Sequence, residues 1–267
     1  MKLITAMAAA AVALVASFGA AAQTNAASVT VVHGVPGLTV DVYVNGEVTL
    51  EGFEPGAVTD PLELPAGEYE IAIREAGAAP DSEPAISGSA TVEDSTDATI
   101  VAHLDESGAP TLSVFANDVT QIAAGQARLT VRHTAAAPAV DVLAGDSALV
   151  ENLANPDEAT AEVPADSYSV AVAPTGTTDA VLGPTDLALE DGTAYFAYAV
   201  GSAEEGTLDL LVQTVSGIGS APAGAPAGNS GLAAEEAFPL WAAGLLALAA
   251  AALVASGVVL VRSRARG

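Results

Sequence analysis

The chain has 267 residues, 51% of them hydrophobic, with no cysteine and with 33 acidic against seven basic side chains. The lack of cysteine excludes disulfide staples and thiolate chemistry. A net charge of −26 excludes nucleic acid as a partner, because that partnership rests on Lys and Arg neutralising phosphates.

The N-terminus runs from Lys2 through an apolar core, Leu3 to about Phe18, to the small residues Ala20, Ala21 and Ala22. That order is the form of a secretory signal peptide, so residues 1–26 are expected to be a signal, with cleavage after Ala22 or Ala26. A retained second membrane helix is the alternative. Alternation of apolar and polar residues then predicts strands at Ser28–His33 and Leu38–Val44, and Asn45-Gly46 is a two-residue hairpin signal leading into Glu47–Leu50. Further strands are expected at Ala57–Leu64, Ile86–Val92, Ala98–Leu104 and Thr111–Ala116. Another is expected at Gly67–Ile73, with Tyr69, Ile71 and Ile73 sharing one face.

The same landmarks return about 100 residues later. Val31, His33 and Val40-Asp41-Val42 recur as Val131, His133 and Val140-Asp141-Val142, and Pro65-Ala66 with Tyr69 recurs as Pro164-Ala165 with Tyr168. Thr99-Ile100-Val101-Ala102 aligns with Ala194-Tyr195-Phe196-Ala197, and Thr111-Leu112 with Thr207-Leu208. Two homologous domains are therefore expected, residues 27–119 and 127–215, joined by Thr120–Gln126. About seven short strands per copy, without helical periodicity, predict an all-β fold of two tandem immunoglobulin-like β-sandwiches.

Residues 216–236 are rich in Pro, Ala and Gly and read as a disordered stalk. Phe238–Val261 is an unbroken apolar run; as a helix at ~1.5 Å per residue it reaches roughly 36 Å, enough to cross a hydrocarbon core of about 30 Å. Arg262, Arg264 and Arg266 in residues 262–267 place that end in the cytoplasm and the two domains outside the cell. Between signal and anchor, three arginines face 33 carboxylates, a charge of −30. Such a surface reads as a solvated acidic coat, or as adaptation to salty surroundings, where a Debye length of about 3 Å at 1 M relieves self-repulsion.

The opening of each copy resembles the bacterial secreted family known as domain of unknown function 4397, whose repeats begin with a pattern like V-R-V-V-H-A-S-P-D-A-P-x-V-D-V-Y-V-N-G. The first copy carries Val29-Thr30-Val31-Val32-His33-Gly34-Val35-Pro36 and Val40-Asp41-Val42-Tyr43-Val44-Asn45-Gly46. The second keeps Leu129-Thr130-Val131-Arg132-His133, Pro138 and Val140-Asp141-Val142 but lacks the Y-V-N-G ending. Pro65-Ala66-Gly67 with Tyr69 is similar to the family's L-P-A-G-x-Y segment. The resemblance implies tandem β-sandwiches on an envelope protein and supplies no catalytic or binding residues. The tail also resembles bacterial sorting signals, but Leu232-Ala233-Ala234-Glu235-Glu236 lacks the Thr-Gly that a sortase cuts, so a retained helix is expected.

His33 and His133, each followed eight residues later by Asp41 or Asp141, are the candidate metal ligands, since imidazole and carboxylate suit divalent cations. Periodicity assigns both histidines instead to the end of a core-facing row, with local hydrogen bonds. The acidic loops holding Asp105 and Glu106, and Glu204 and Glu205, sit at corresponding hairpins and are candidate calcium loops without the EF-hand order. His103 has no counterpart in the second copy. No G-x-S-x-G, H-E-x-x-H or phosphate loop is present, and the one tryptophan, Trp241, lies in the anchor. The expected function is thus non-enzymatic and cofactor-free: a membrane-anchored envelope protein presenting a surface to an extracellular protein or wall polymer. The alternatives are a calcium-responsive adhesion module and a carbohydrate-binding or hydrolytic envelope protein.

Overall fold

The computed structural model describes residues 26–145 and 147–220. The expected signal peptide, the anchor helix, the basic tail and the stalk beyond Ser220 lie outside these residues.

The first copy folds into β1 (Ala27–His33), β2 (Val40–Val44), β3 (Glu47–Phe53), β4 (Leu62–Leu64), β5 (Gly67–Glu75), β6 (Ile86–Val92), β7 (Asp97–Leu104) and β8 (Pro110–Ala116). The second repeats it as β9 (Gln126–His133), β10 (Val140–Ala144), β11 (Ser147–Leu153), β12 (Glu158–Pro164), β13 (Ser167–Pro174), β14 (Leu182–Ala188), β15 (Ala194–Val200) and β16 (Asp209–Val215). Each copy is a sandwich of two four-stranded sheets, ordered β4-β1-β7-β8 and β3-β2-β5-β6 in the first, β12-β9-β15-β16 and β11-β10-β13-β14 in the second.

The sandwich is the one that alternation predicts, but its strand order is not that of an immunoglobulin constant domain, which sets strands 1-2-5-4 against 3-6-7. Here β1 joins β7 in parallel, and β9 joins β15 in the same way. Strand periodicity reports which face a residue occupies and is silent about which strand lies beside it, so pairing order had to come from tertiary structure.

Two of the sequence signals have local structural explanations. Asn45 and Gly46 take φ of 53° and 83°, as a tight hairpin between Val44 and Glu47 requires. The second copy, without Asn-Gly, still sets Ala144 opposite Ser147. The tyrosine of the Pro-Ala-x-x-Tyr segment donates its hydroxyl back to the proline carbonyl, Tyr69 to Pro65 at 2.6 Å and Tyr168 to Pro164 at 3.0 Å, bracing the start of β5 and β13.

Each sandwich has its own apolar interior, one around Val29, Val42, Ile73 and Ile100, the other around Leu129, Val142, Val172 and Ala197. A third interior forms where the β4-β1-β7-β8 sheet packs face to face on the β12-β9-β15-β16 sheet, uniting Val32, Val101 and Phe115 with Phe196, Tyr198 and Val200. The two copies are therefore fused in four layers. Thr120–Gln126, expected as a simple joint, contributes the fully buried Ile122 to this third interior. Ser216–Ser220, expected to begin the stalk, stays docked: the Ile122 N–H donates to the Ile218 carbonyl at 2.9 Å, and Ser220 donates to the Ile122 carbonyl at 2.7 Å. Ile218 has an apolar side chain to bury there, which the Pro/Ala/Gly composition of the segment obscured.

The third interior carries a polar seam. Arg132, fully buried, donates from Nε to Glu158 at 2.7 Å and from Nη1 to the Tyr198 hydroxyl at 2.7 Å, with its guanidinium 4.5 Å from the Phe115 ring and 4.9 Å from the Phe196 ring. Tyr198 donates in turn to Gln213 Oε1, which also accepts from Thr99, while Gln213 Nε2 donates to Thr30. Arg128 ties the connector through the Asp118 and Thr120 carbonyls and pairs with Glu162. Asn155 bridges the Leu104 and Ala135 carbonyls, one from each copy.

Candidate functional site

His33 and His133 end core-facing rows and are 1% exposed. Each imidazole donates from Nε2 to a carbonyl five residues on, Leu38 at 2.7 Å and Pro138 at 3.0 Å, which fixes the Nε2–H tautomer and pins the chain leading into β2 or β10. Burial pushes both pKa values below the usual histidine range, so the rings are neutral near pH 7.

Asp41 and Asp141 point to the outer faces of their sheets and act as backbone staples. Asp41 accepts from the Gly52 N–H at 2.8 Å and the Gly77 N–H at 2.9 Å; Asp141 accepts from Asn152 and Gly176, both at 2.8 Å. These N–H donors hold both carboxyls below the usual carboxylate range. The recurrent Val-Asp-Val thus clamps the β2–β3 bulge to the loop after β5, and repeats it in the second copy. Each histidine and its partner aspartate serve separate backbone contacts.

The acidic hairpins do meet. Glu106 and Glu204 line one crevice of about 260 Å³, with Gly108, Ala137, Pro138 and Ser202 between them. Asp105 turns inward to its own loop, accepting from the Ser107 N–H and hydroxyl and from the Ala109 N–H. Glu205 is exposed at the tip of the other loop. Among the described residues no three His, Asp or Glu side chains converge as a metal site. His103 faces the junction of the copies, donating from Nδ1 to the Leu104 carbonyl and accepting at Nε2 from Ser113; burial lowers its pKa too.

What sequence reading missed is the outer face of the β3-β2-β5-β6 sheet. A cleft of about 660 Å³ opens there, lined by Tyr43, Glu68, Glu70, Arg74, Ser87 and Ser89. Strand alternation sets Glu68, Glu70, Ala72 and Arg74 in one column of β5, flanked by Tyr43 on β2 and by Ser87 and Ser89 on β6. The Arg74 guanidinium lies 4.6 Å from the Tyr43 ring, and its Nε donates to the Ser82 carbonyl in the loop that rises at the cleft's end. Arg128 and Arg132 are engaged in ion pairs, whereas Arg74 makes none among the described residues, even on so acidic a surface. In the second copy the same positions hold Leu143, Ala171 and Ala173, which bury one another. The signal available in the sequence was Arg74 itself, a lone cation at an outward position of β5.

A protein-family model described as Domain of unknown function (DUF4397) matches residues 27–143 and again 134–225. No curated protein shows significant similarity to the chain.

Proposed function

Since the chain belongs to the DUF4397 family, whose description assigns no activity, we propose from its own residues that it is a non-enzymatic, single-pass cell-envelope protein. Its double sandwich stands outside the membrane and presents the Tyr43–Arg74 cleft to an extracellular protein or wall polymer. The observation that carries this reading is the cleft: a polar recess with a guanidinium that has no ion-pair partner among the described residues and lies on an aromatic ring, in the copy whose outer sheet face is not filled by apolar residues. Such a fork is suited to planar, multidentate recognition of oxygen-rich groups, with the serine hydroxyls and glutamates completing the hydrogen-bonding wall. The apolar run Phe238–Val261 with its arginine tail supports the tether, and the small-residue end of the N-terminal apolar segment supports export.

The test is capture from intact envelopes. The chain is expected to retain a partner that Arg74→Ala releases and Arg74→Lys only partly restores; equal capture by wild type and Arg74→Ala sinks the assignment. A calcium-responsive module is the second reading, favoured by the approach of Glu106 and Glu204 across the two copies. It requires heat of binding and a raised melting temperature at millimolar calcium, both lost in Glu106→Gln/Glu204→Gln.

A further inference from the structure

We propose that the first sandwich receives a linear alkyl chain between its sheets, entering at the edge formed by β3 and β4. A cavity of about 80 Å³ lies there, walled among others by Val29, Val31, Val42, Ile71, Ile100 and Ala102. Apart from Thr49 and Tyr69 its lining is aliphatic, and the Tyr69 hydroxyl is already bonded to the Pro65 carbonyl. A space with no free polar partner stays dry and takes apolar guests. Size limits how much enters: a cavity of about 150 Å³ admits benzene, so one of about half that volume takes only the terminal few carbons of a chain, the remainder lying along the entrance.

The entrance follows from a difference between the copies. At the matching edge of the second sandwich, β12 pairs with β9 without interruption from Glu158 to Pro164 and packs against β11. In the first, β4 spans only Leu62–Leu64, because Pro61 has no N–H to donate and the register slips by one residue between the Val29–Leu62 and Val32–Val58 pairs. The lining is wettest at this edge, where Thr49 is exposed and Leu50, Leu62 and Leu64 are half-buried. Interiors otherwise pack to crystal density, so a void beside a shortened edge strand is a place for a guest. The same two strands and the bend before β4 carry exposed Glu47, Glu51, Asp60 and Glu63, which set the sign of the headgroup: neutral or cationic, not carboxylate.

The experiment uses the full chain in liposomes, irradiated with octylamine bearing a terminal diazirine, followed by peptide mass spectrometry. Adducts are expected on β1, β5 and β7, suppressed by excess octylamine and reduced about tenfold in Ala102→Leu, which places three more carbons in the void. Val31→Leu, a milder filling, is expected to reduce labelling in the same direction, with circular dichroism checking that both variants stay folded. Labelling confined to Phe238–Val261, or equal labelling of wild type and both folded variants, overturns the site. Equal labelling by the octanoate analogue overturns the headgroup assignment.

Discussion

Removing the buried guanidinium at the junction tests whether the two sandwiches are one energetic unit. Arg132→Ala deletes the charge-assisted bond to Glu158 and the bond to the Tyr198 hydroxyl, and strips the stacking partner from Phe115 and Phe196. Breaking a buried ion pair costs about 3–5 kcal/mol when the orphaned charge stays buried. Here the Glu158 side chain is 39% exposed and rehydrates, and Tyr198 keeps its bond to Gln213, so the electrostatic part falls below that range. The emptied volume adds a cavity penalty, since the site is fully buried. We expect a loss of about 3 kcal/mol overall. Arg132→Met, which fills the space and leaves no buried charge, is expected to cost about 1 kcal/mol or less. Urea denaturation followed by far-ultraviolet circular dichroism reads both values. Wild type should unfold in one transition and Arg132→Ala should broaden or split it. Two well-separated transitions in wild type, or a loss under about 1 kcal/mol for Arg132→Ala, refutes the shared interior as a source of stability.

Three other outcomes follow from the same structure. His33, His103 and His133 have pKa values lowered by burial, so they favour the folded state fully above the unfolded value of about 6.5, and that contribution is lost as pH falls through their folded values. Urea midpoints between pH 7.5 and 5 should decline, with a second decline below about pH 4 as the stapled Asp41 and Asp141 are protonated; a flat profile above pH 5 contradicts the first. Gly34 meets the second copy so closely that an added Cβ would lie 2.7 Å from Val200 Cγ1, and Gly34→Ala is expected to cost about 1–3 kcal/mol, whereas an unchanged melting temperature would show that Val200 yields freely. Raising NaCl from 0.05 to about 1 M should increase stability by screening the carboxylate surface, and a constant urea midpoint across that series would dismiss self-repulsion as a factor.

Alternation placed most strand boundaries of the first copy within two residues, from β1 to β8, because one face of each strand is apolar. Two strands depart further: β3 runs on to Phe53, three residues past the expected Glu47–Leu50, and Pro61 and the slipped register cut the expected Ala57–Leu64 strand to the three residues of β4. Sequence similarity sets Ala102 against Ala197, and the strand pairing differs. Pairing of His33 with Ala102 and of His133 with Ala199 makes Ala102 the equivalent of Ala199, two residues beyond the partner that sequence similarity chose. Leu112 is likewise equivalent to Leu210 rather than Leu208. A slip of two preserves which face each side chain occupies, so hydrophobic pattern alone could not detect it. Of the candidate site residues, the histidines were placed correctly as the ends of core-facing rows, and the meeting of Glu106 with Glu204 depends on the stacking of the copies. Arg74 is visible in the sequence only as a lone outward cation on β5; the Tyr43 ring and the Ser82 carbonyl that make it part of a cleft come from β2 and from the loop after β5.

Composition and periodicity by themselves determined a cysteine-free, acidic, duplicated all-β chain, since side-chain polarity at period two decides which face of a strand meets water. Tertiary structure decided the strand order, the fusion of two sandwiches, and the fate of Thr30, Thr99, Arg132 and Gln213. These polar side chains are buried because the face they occupy is covered by the other copy. The hint was Ala194–Val200, a strand with no charged residue on either face, as burial on both sides demands. Which surface provides that second cover is a property of contacts between distant parts of the chain, and no local pattern encodes it.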